Sequence, residues 1–165
     1  MIHVYYRSLL LLDKPMEIRL NWKAIAKERP RLGRGGRVFT PKATREFETK
    51  MAEAGSTLLR RPYTCPVKIT VRLYDPIPKS YKGMKLHAAR ENLINPPVGD
   101  LDNKIKAITD GLNGVAYVDD KQINKIDAER RYGNDHAIYV LLERNGLSAK
   151  ELEDYGNQRD YKSRP

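Results

Sequence analysis

The sequence predicts a single compact domain that mixes helices with strands. Three observations carry that expectation. The chain has 165 residues, one domain's length and enough for a core without disulfide or metal staples. Apolar and polar residues alternate through CPVKITVRLYDPIP, where Val67, Ile69, Val71 and Leu73 interleave with Lys68, Thr70, Arg72 and Tyr74, the period of a half-buried strand. A helical period runs on from Asp100, where Leu101, Ile105, Ile108 and Leu112 make one apolar stripe.

The remaining elements follow in chain order. Residues 1–15, MIHVYYRSLLLLDKP, hold an apolar run that is too short and too interrupted for a membrane span or signal peptide, so they read as an N-terminal extension or an extra strand. The predicted domain proper covers 16–145. Its first strand is MEIRLNWKAI (16–25), from the alternation of Ile18, Leu20 and Trp22. AKERPRLGRGGRVF (26–39) then breaks all periodicity and reads as a mobile cationic loop, in which Gly33, Gly35 and Gly36 separate Lys27, Arg29, Arg31, Arg34 and Arg37. Glycine and arginine in this mixture suit a phosphate chain; the alternative is a solvated linker. Thr40-Pro41 predicts a helix start, hydroxyl at the N-cap and proline just inside. That helix runs to about Leu59 with Phe47, Met51, Ala54 and Leu58 on one face.

Residues 78–93 read as a short basic helix capped by Ser80 and weakened by Gly83, and NPPVGD ends it. The helix beginning at Asp100 leaves through Asn113-Gly114, a left-handed exit. QINKIDAERRY (122–132) is ambiguous in period. A strand is favoured because HAIYVLLE (136–143) follows across Gly133-Asn134-Asp135, a hairpin-like connection. Residues 146–165 form a polar tail, with Ser148 and Glu151 as a capping box for a short helix and the last ten residues disordered.

Charge and cysteine usage narrow the function. Lys and Arg number 31 against 21 Asp and Glu, a net charge of +10. That excess favours a polyanionic partner, nucleic acid before a membrane surface, because no segment is apolar and amphipathic enough to lie in a bilayer. Cys65 is the single cysteine, which excludes an internal disulfide and a cysteine zinc site; His3, His87 and His136 show no ligand spacing. A reducing, cytoplasmic location fits.

Against that basic background, PPVGDLDNKIKAITDGLNGVAYVDD (96–120) concentrates acid: Asp100 and Asp102, then Asp110, then Asp119 and Asp120. A lone aspartate at a helix start is ordinarily a cap. Capping does not explain a second acidic pair behind an apolar linker, nor Lys106, which stands four residues after Asp102 and so on the same flank. Carboxylates without histidine or cysteine are the ligand set of a hard cation, Mg²⁺ or Mn²⁺. On a basic protein this combination predicts a nuclease: the basic surface holds the backbone, the metal activates water at the scissile phosphate, and Lys106 offsets the developing charge. A calcium-structural or merely capped region is the competing expectation.

The segment DLDNKIKAITDGLNGVAYVDDKQI (Asp100–Ile123) resembles the signature of RusA-like Holliday junction resolvases, which reads roughly D-x-D-N-x-x-K-x-x-x-D-x-L, an N-G-type turn, then D-D-x-Q-I. The likeness extends to Lys27–Arg31, to Phe39-Thr40-Pro41 and to Pro76–Tyr81, about residues 16–142 in all. It implies an α+β fold, a mixed sheet packed with a few helices, working as a homodimer on four-way DNA junctions. It implies Mg²⁺-dependent endonuclease activity, in phages and prophages above all. The implied catalytic residues are Asp100, Asp102, Lys106 and Asp120, with Asp100, Asp102 and Asp120 or Asp119 as metal ligands; Asn103 and Asp110 orient neighbours or cap structure. Lys27, Arg29, Arg31, Arg34, Arg37, Lys79 and Lys82 are candidate DNA contacts, and Lys85 is a further one unless that helix face is only solvated. Trp22 and Tyr81 can stack on exposed bases, although core or rim roles are favoured. Two rival functions stay open: a non-catalytic DNA-binding module, and a metal-dependent phosphohydrolase for other nucleic acids.

Overall fold

The computed structural model describes residues 15–32, 36–59, 61–97 and 99–154. The extension before Pro15, the candidate Arg34 and the tail from Tyr155 lie outside them, and of Arg31 only the backbone is described. The elements are β1 (Met16–Leu20), β2 (Arg31–Leu32), β3 (Val38–Phe39), α1 (Lys42–Ser56), β4 (Val67–Pro76), α2 (Gly83–Arg90), α3 (Leu101–Leu112), a 3-10 turn (Asp120–Gln122), β5 (Ile123–Gly133) and β6 (Ala137–Arg144). No helix among the described residues is long and apolar enough to cross a membrane.

Four strands make one mixed sheet in the order β1-β6-β4-β5, with β4 antiparallel to β6 and parallel to β5. The expected hairpin between β5 and β6 is therefore corrected. Residues 134–136 carry the chain past the end of β4, and β6 pairs with β4 and β1. The distribution of apolar side chains explains why. Val67, Ile69, Val71 and Leu73 of β4, and Ile138, Val140 and Leu142 of β6, are at most 1% exposed, so both strands belong in the middle. β5 carries Lys125, Asp127, Glu129 and Arg131 and takes the edge, where charge discourages pairing with a further strand.

Register aligns the inward residues into rows. Ile18 faces Val140, which faces Val71, which faces Ala128. On that face pack Phe47 and Met51 from α1, and Ile105, Ala107, Ile108 and Leu112 from α3, forming one core. The opposite face is polar: Arg72 grips Asp127 in a two-pronged pair at 3.1 and 3.2 Å, and Lys68 meets Glu143 at 2.9 Å. The two helices touch through Gly111, where a Cβ would stand 2.7 Å from Met51 Cβ and 3.0 Å from the Glu48 carbonyl oxygen.

Three local expectations change. Pro41, in an extended conformation, occupies the N-cap of α1 without a side-chain hydrogen bond, so the Thr40 hydroxyl caps nothing. Because α1 stops at Ser56, Leu58 leaves the apolar stripe and is 51% exposed, while Thr44 and Gly55 are buried in its stead. Helix α2 starts at Gly83 rather than after Ser80, since Gly83 has a φ of +53° and turns the chain there. The cationic loop also gains some order: β2 and β3 pair residues 31–32 with 38–39. The Ser148–Glu151 capping box forms as expected, with the Ser148 N–H donating to Glu151 Oε2 at 2.8 Å.

Candidate active site

Helix α3 is the platform. Its apolar stripe buries Ile105, Ile108 and Leu112, which anchors one face and turns Asp102 and Lys106 outward to solvent. Asp100 stands at the N-cap in an extended conformation, yet its side chain makes no capping hydrogen bond. Neither the Asp100 nor the Asp102 carboxylate takes a hydrogen bond or ion pair from another described residue. Capping, the ordinary explanation for such aspartates, thus fails for Asp100, and the oxygens of both stay free for a ligand.

The chain entering α3 is clamped. Arg130 on β5 donates to the carbonyl oxygens of Pro96 and Gly99, and Tyr132 donates its hydroxyl to the Asn95 carbonyl at 3.1 Å and its N–H to Asn92 Oδ1 at 2.7 Å. From below, the buried Lys104 reaches Asp75 at the end of β4, 3.2 Å away, and His136 Nδ1 meets the other oxygen of Asp75 at 3.0 Å. None of these six side chains (Arg130, Tyr132, Asn92, Lys104, Asp75 and His136) stood out in the sequence as part of a site.

Lys106 pairs with Asp110 rather than with Asp102: its Nζ lies 3.5 Å from Asp110 Oδ1, one turn on. Asp110 also accepts from Lys27, whose ammonium reaches Glu48 at 2.9 Å. Asp110 is thus a hub, and Lys27 is spoken for. Its backbone N–H donates to the Asn103 carbonyl at 2.9 Å as well, so Lys27 staples the loop to α1 and α3 and its ammonium is not free for phosphate. Burial alone lowers the Lys27 pKa, but the Asp110 and Glu48 carboxylates outweigh it and hold it above the usual lysine value. Lys106 keeps 60% of its side chain exposed, free to swing to an incoming anion.

The second acidic pair returns towards α3 through the turn at Gly114 (φ +75°). Tyr117, fully buried, donates its hydroxyl to the Thr109 carbonyl at 2.6 Å, about 10 Å along α3 from Asp102 at 1.5 Å per residue. The two aspartates then separate in role. Asp119 caps the 3-10 turn: its carboxylate accepts the Lys121 N–H at 2.9 Å, and its own N–H donates to Gln122 Oε1 at 2.9 Å. That first bond holds the Asp119 carboxyl below its usual pKa. Gln122 locks the turn onto the Tyr63 and Cys65 carbonyls at 2.9 and 2.8 Å. Asp120 is exposed and is engaged in no such cap.

Burial pushes the Tyr117 phenol well above its usual pKa of 10.0, and the negative charges of Asp120 and Asp110 add to the rise. A raised folded-state pKa means that this stabilisation is complete below pH 10 and is lost as the pH climbs beyond it. Tyr117→Phe is expected to flatten the alkaline fall in Tm above pH 10; parallel Tm–pH curves for the two proteins would show that the phenol ionises as freely folded as unfolded.

Arg29, Arg37, Lys79 and Lys82 are exposed and make no ion pair with another described residue. Lys85 lies over the Tyr81 ring, 4.1 Å from its centre, and Tyr81 meets Tyr132 edge to face at 6.3 Å. Trp22 packs against the core with Lys50 over its ring at 5.3 Å. Both aromatics are engaged at the rim of the fold.

Among the described residues, no three His, Cys, Asp or Glu side chains stand close enough together to hold a metal ion. The aspartates are therefore not a ready-made cage. What they offer fits a looser demand: Mg²⁺ commonly takes one or two carboxylates and completes its shell with water and substrate phosphate, and Asp100 and Asp102 present uncommitted oxygens of the right hardness. Uncommitted carboxylates and an exposed lysine on a pinned helix, amid exposed arginines and lysines, are the groups that phosphodiester hydrolysis on a nucleic acid calls for. The endodeoxyribonuclease RusA family model matches residues 21–143, and this chain belongs to that family. It is also 31% identical over 127 residues to the uncharacterized protein YqaN of Bacillus subtilis (strain 168), covering 72% of this chain and 88% of that protein.

Proposed function

We propose that this protein is a Mg²⁺-dependent, structure-selective endodeoxyribonuclease that resolves four-way and other branched DNA by paired cuts, acting as a homodimer in the cytoplasm of a bacterial host or on behalf of a phage. The observation that carries the reading is the free state of Asp100 and Asp102 at the start of α3, inside the segment that matches the family. A bound Mg²⁺ supplies Lewis-acid polarisation of the phosphate and a water made acidic enough to attack. Asp100 and Asp102 would hold it, with the exposed Asp120 as a further carboxylate, while Asp119 serves the turn. Lys106, released from Asp110, donates to the phosphate oxygens as charge builds there. A homodimer suits paired cuts, since two symmetric strands call for two sites related by a two-fold axis.

A synthetic mobile four-way junction incubated with and without Mg²⁺, its nicks mapped, tests the reading. Paired, metal-dependent nicks are expected on the junction well before linear duplex or RNA is cut. Equal cutting of all three would sink junction selectivity, and binding without cutting would favour a non-catalytic DNA-binding module. Binding should also weaken steeply with salt, because each neutralised phosphate contributes a slope of about −0.9 in log K against log salt. Replacing Arg29 and Arg37 together by alanine is expected to make that slope shallower by about two units; an unchanged slope would remove the loop from the DNA interface.

A further inference from the structure

Lys104 is the one charged side chain on the buried face of α3. It is 1% exposed, falls between two residues assigned to the chemistry, Asp102 and Lys106, and itself reaches neither solvent nor substrate. Its ammonium meets Asp75 Oδ2 at 3.2 Å, and Asp75 Oδ1 is held by His136 Nδ1 at 3.0 Å. Asp75 is buried at the end of the central strand, and His136 lies half-exposed in the link that crosses that end. The line of contacts runs from the inside of the helix, through the sheet, to the surface.

Stability is a poor explanation for such a pair. Burying two charges costs about as much as their attraction returns, and a well-packed apolar residue of similar size usually serves the core as well or better. What an ion pair supplies and a methyl group does not is a fixed register. At 3.6 residues per turn, position 104 lies about 200° around the helix from both 102 and 106, so a tether at 104 sets the azimuth at which those two face outward. The same side chain supports the turn before the helix. Gly99 has a φ of +73°, and the site a Cβ would take there is 3.3 Å from Lys104 Cε and 3.5 Å from Ala26 Cβ. The backbone of residue 99 thus lies on the lysine stem while Arg130 holds its carbonyl from the other side. Asp100 follows at once.

We propose that Lys104, held by Asp75 and through it by His136, is a positioning residue that sets Asp100 and Asp102 in the relation a divalent cation needs. The inference rests on the metal-dependent reading above and deepens it. Lys104 touches neither the metal nor the DNA; it acts through the first turn of α3.

The test uses the full chain and Mn²⁺ as the probe, with three measurements on wild type, Lys104→Met and His136→Ala: Mn²⁺ affinity by calorimetry, four-way-junction affinity without metal, and amide hydrogen exchange over 104–106, whose N–H groups close the first turn of α3. Lys104→Met is expected to bind Mn²⁺ about tenfold more weakly, to exchange faster at 104–106, and to bind the junction without metal within about twofold of wild type. His136→Ala shifts the same quantities in the same direction by less. A folded Lys104→Met protein with wild-type Mn²⁺ affinity overturns the proposal, as does one that loses metal and junction binding in equal proportion, the mark of general loosening. Should Lys104→Met fail to fold, His136→Ala decides by the same comparison, and unchanged Mn²⁺ affinity there overturns it. Should wild type bind no Mn²⁺, the metal-dependent function itself falls; hydrogen exchange then judges the tether alone, and unchanged protection at 104–106 in the variants overturns it.

Discussion

Replacing Asp102 by asparagine is expected to abolish cleavage of a four-way junction while leaving the junction bound. The amide has the shape of the carboxylate, and the Asp102 side chain makes no hydrogen bond or ion pair with other described residues that the change would break, so the fold loses only the charge's interaction with the helix dipole, about 0.3–1 kcal/mol. The charge is what disappears. A neutral amide is a far poorer partner for a hard cation, and a lost Lewis acid removes several kcal/mol of transition-state stabilisation; about 4 kcal/mol corresponds to roughly 10³-fold in rate. Binding is carried by arginines and lysines elsewhere, and losing one negative charge near the phosphates should hold or tighten it. Single-turnover cleavage and gel-shift binding on the same junction separate the two effects. Cleavage at near wild-type rate would show that Asp102 is a solvated surface residue; equal loss of cleavage and binding would show that it supports the DNA surface instead.

The largest effect on stability is expected from Gly111→Ala. An added Cβ would meet Met51 Cβ at 2.7 Å and the Glu48 carbonyl oxygen at 3.0 Å, so α1 and α3 must part. Alanine's better helix propensity returns about 1 kcal/mol, while overpacking a tight contact costs about 1–3 kcal/mol, and here the obstacle includes backbone, which cannot rotate away. A net loss of about 1–2 kcal/mol, or roughly 2–8 °C in Tm for a domain of this size, is the expected calorimetric result. The site should feel it too, since Lys27 spans the same seam from Glu48 on α1 to Asp110 on α3. Unchanged Tm would mean that the helices yield without strain. A fall in Tm with full activity at low temperature would mean that the Lys27 bridge does not help to set Lys106.

Much of the scaffold can be read directly along the chain because local periodicity reports burial. Val67 to Leu73 alternate and become the central strand; Ile105, Ile108 and Leu112 recur at helical spacing and become the buried stripe of α3. The candidate acids and Lys106 are legible for a different reason: they cluster in sequence. Where periodicity is weak, reading fails locally. Helix α2 begins at a left-handed glycine instead of at a serine cap, and α1 ends before Leu58. A turn-like tripeptide predicts a β5–β6 hairpin, but strand order depends on which strands are apolar enough to sit in the middle, a comparison among strands that no single segment contains.

The sequence by itself determined the chemistry on offer: a basic domain with its acid gathered around one helix, and a lysine four residues beyond the second aspartate. It also held one signal that is intelligible only in retrospect. Asp75 continues the inward phase of Val67, Ile69, Val71 and Leu73, and Lys104 lies on the stripe of Ile108, so each apolar face carries one opposite charge. That they meet was decided by the tertiary structure alone, as were Asp110's role as a hub, the capture of Lys27 and the division of labour between Asp119 and Asp120. The physical reason is common to all of these. An ionisable side chain is used by whatever group the fold brings within about 3 Å, and for Lys27 and Asp110, 83 residues apart in the chain, only the packing of α3 against α1 and the loop brings them together.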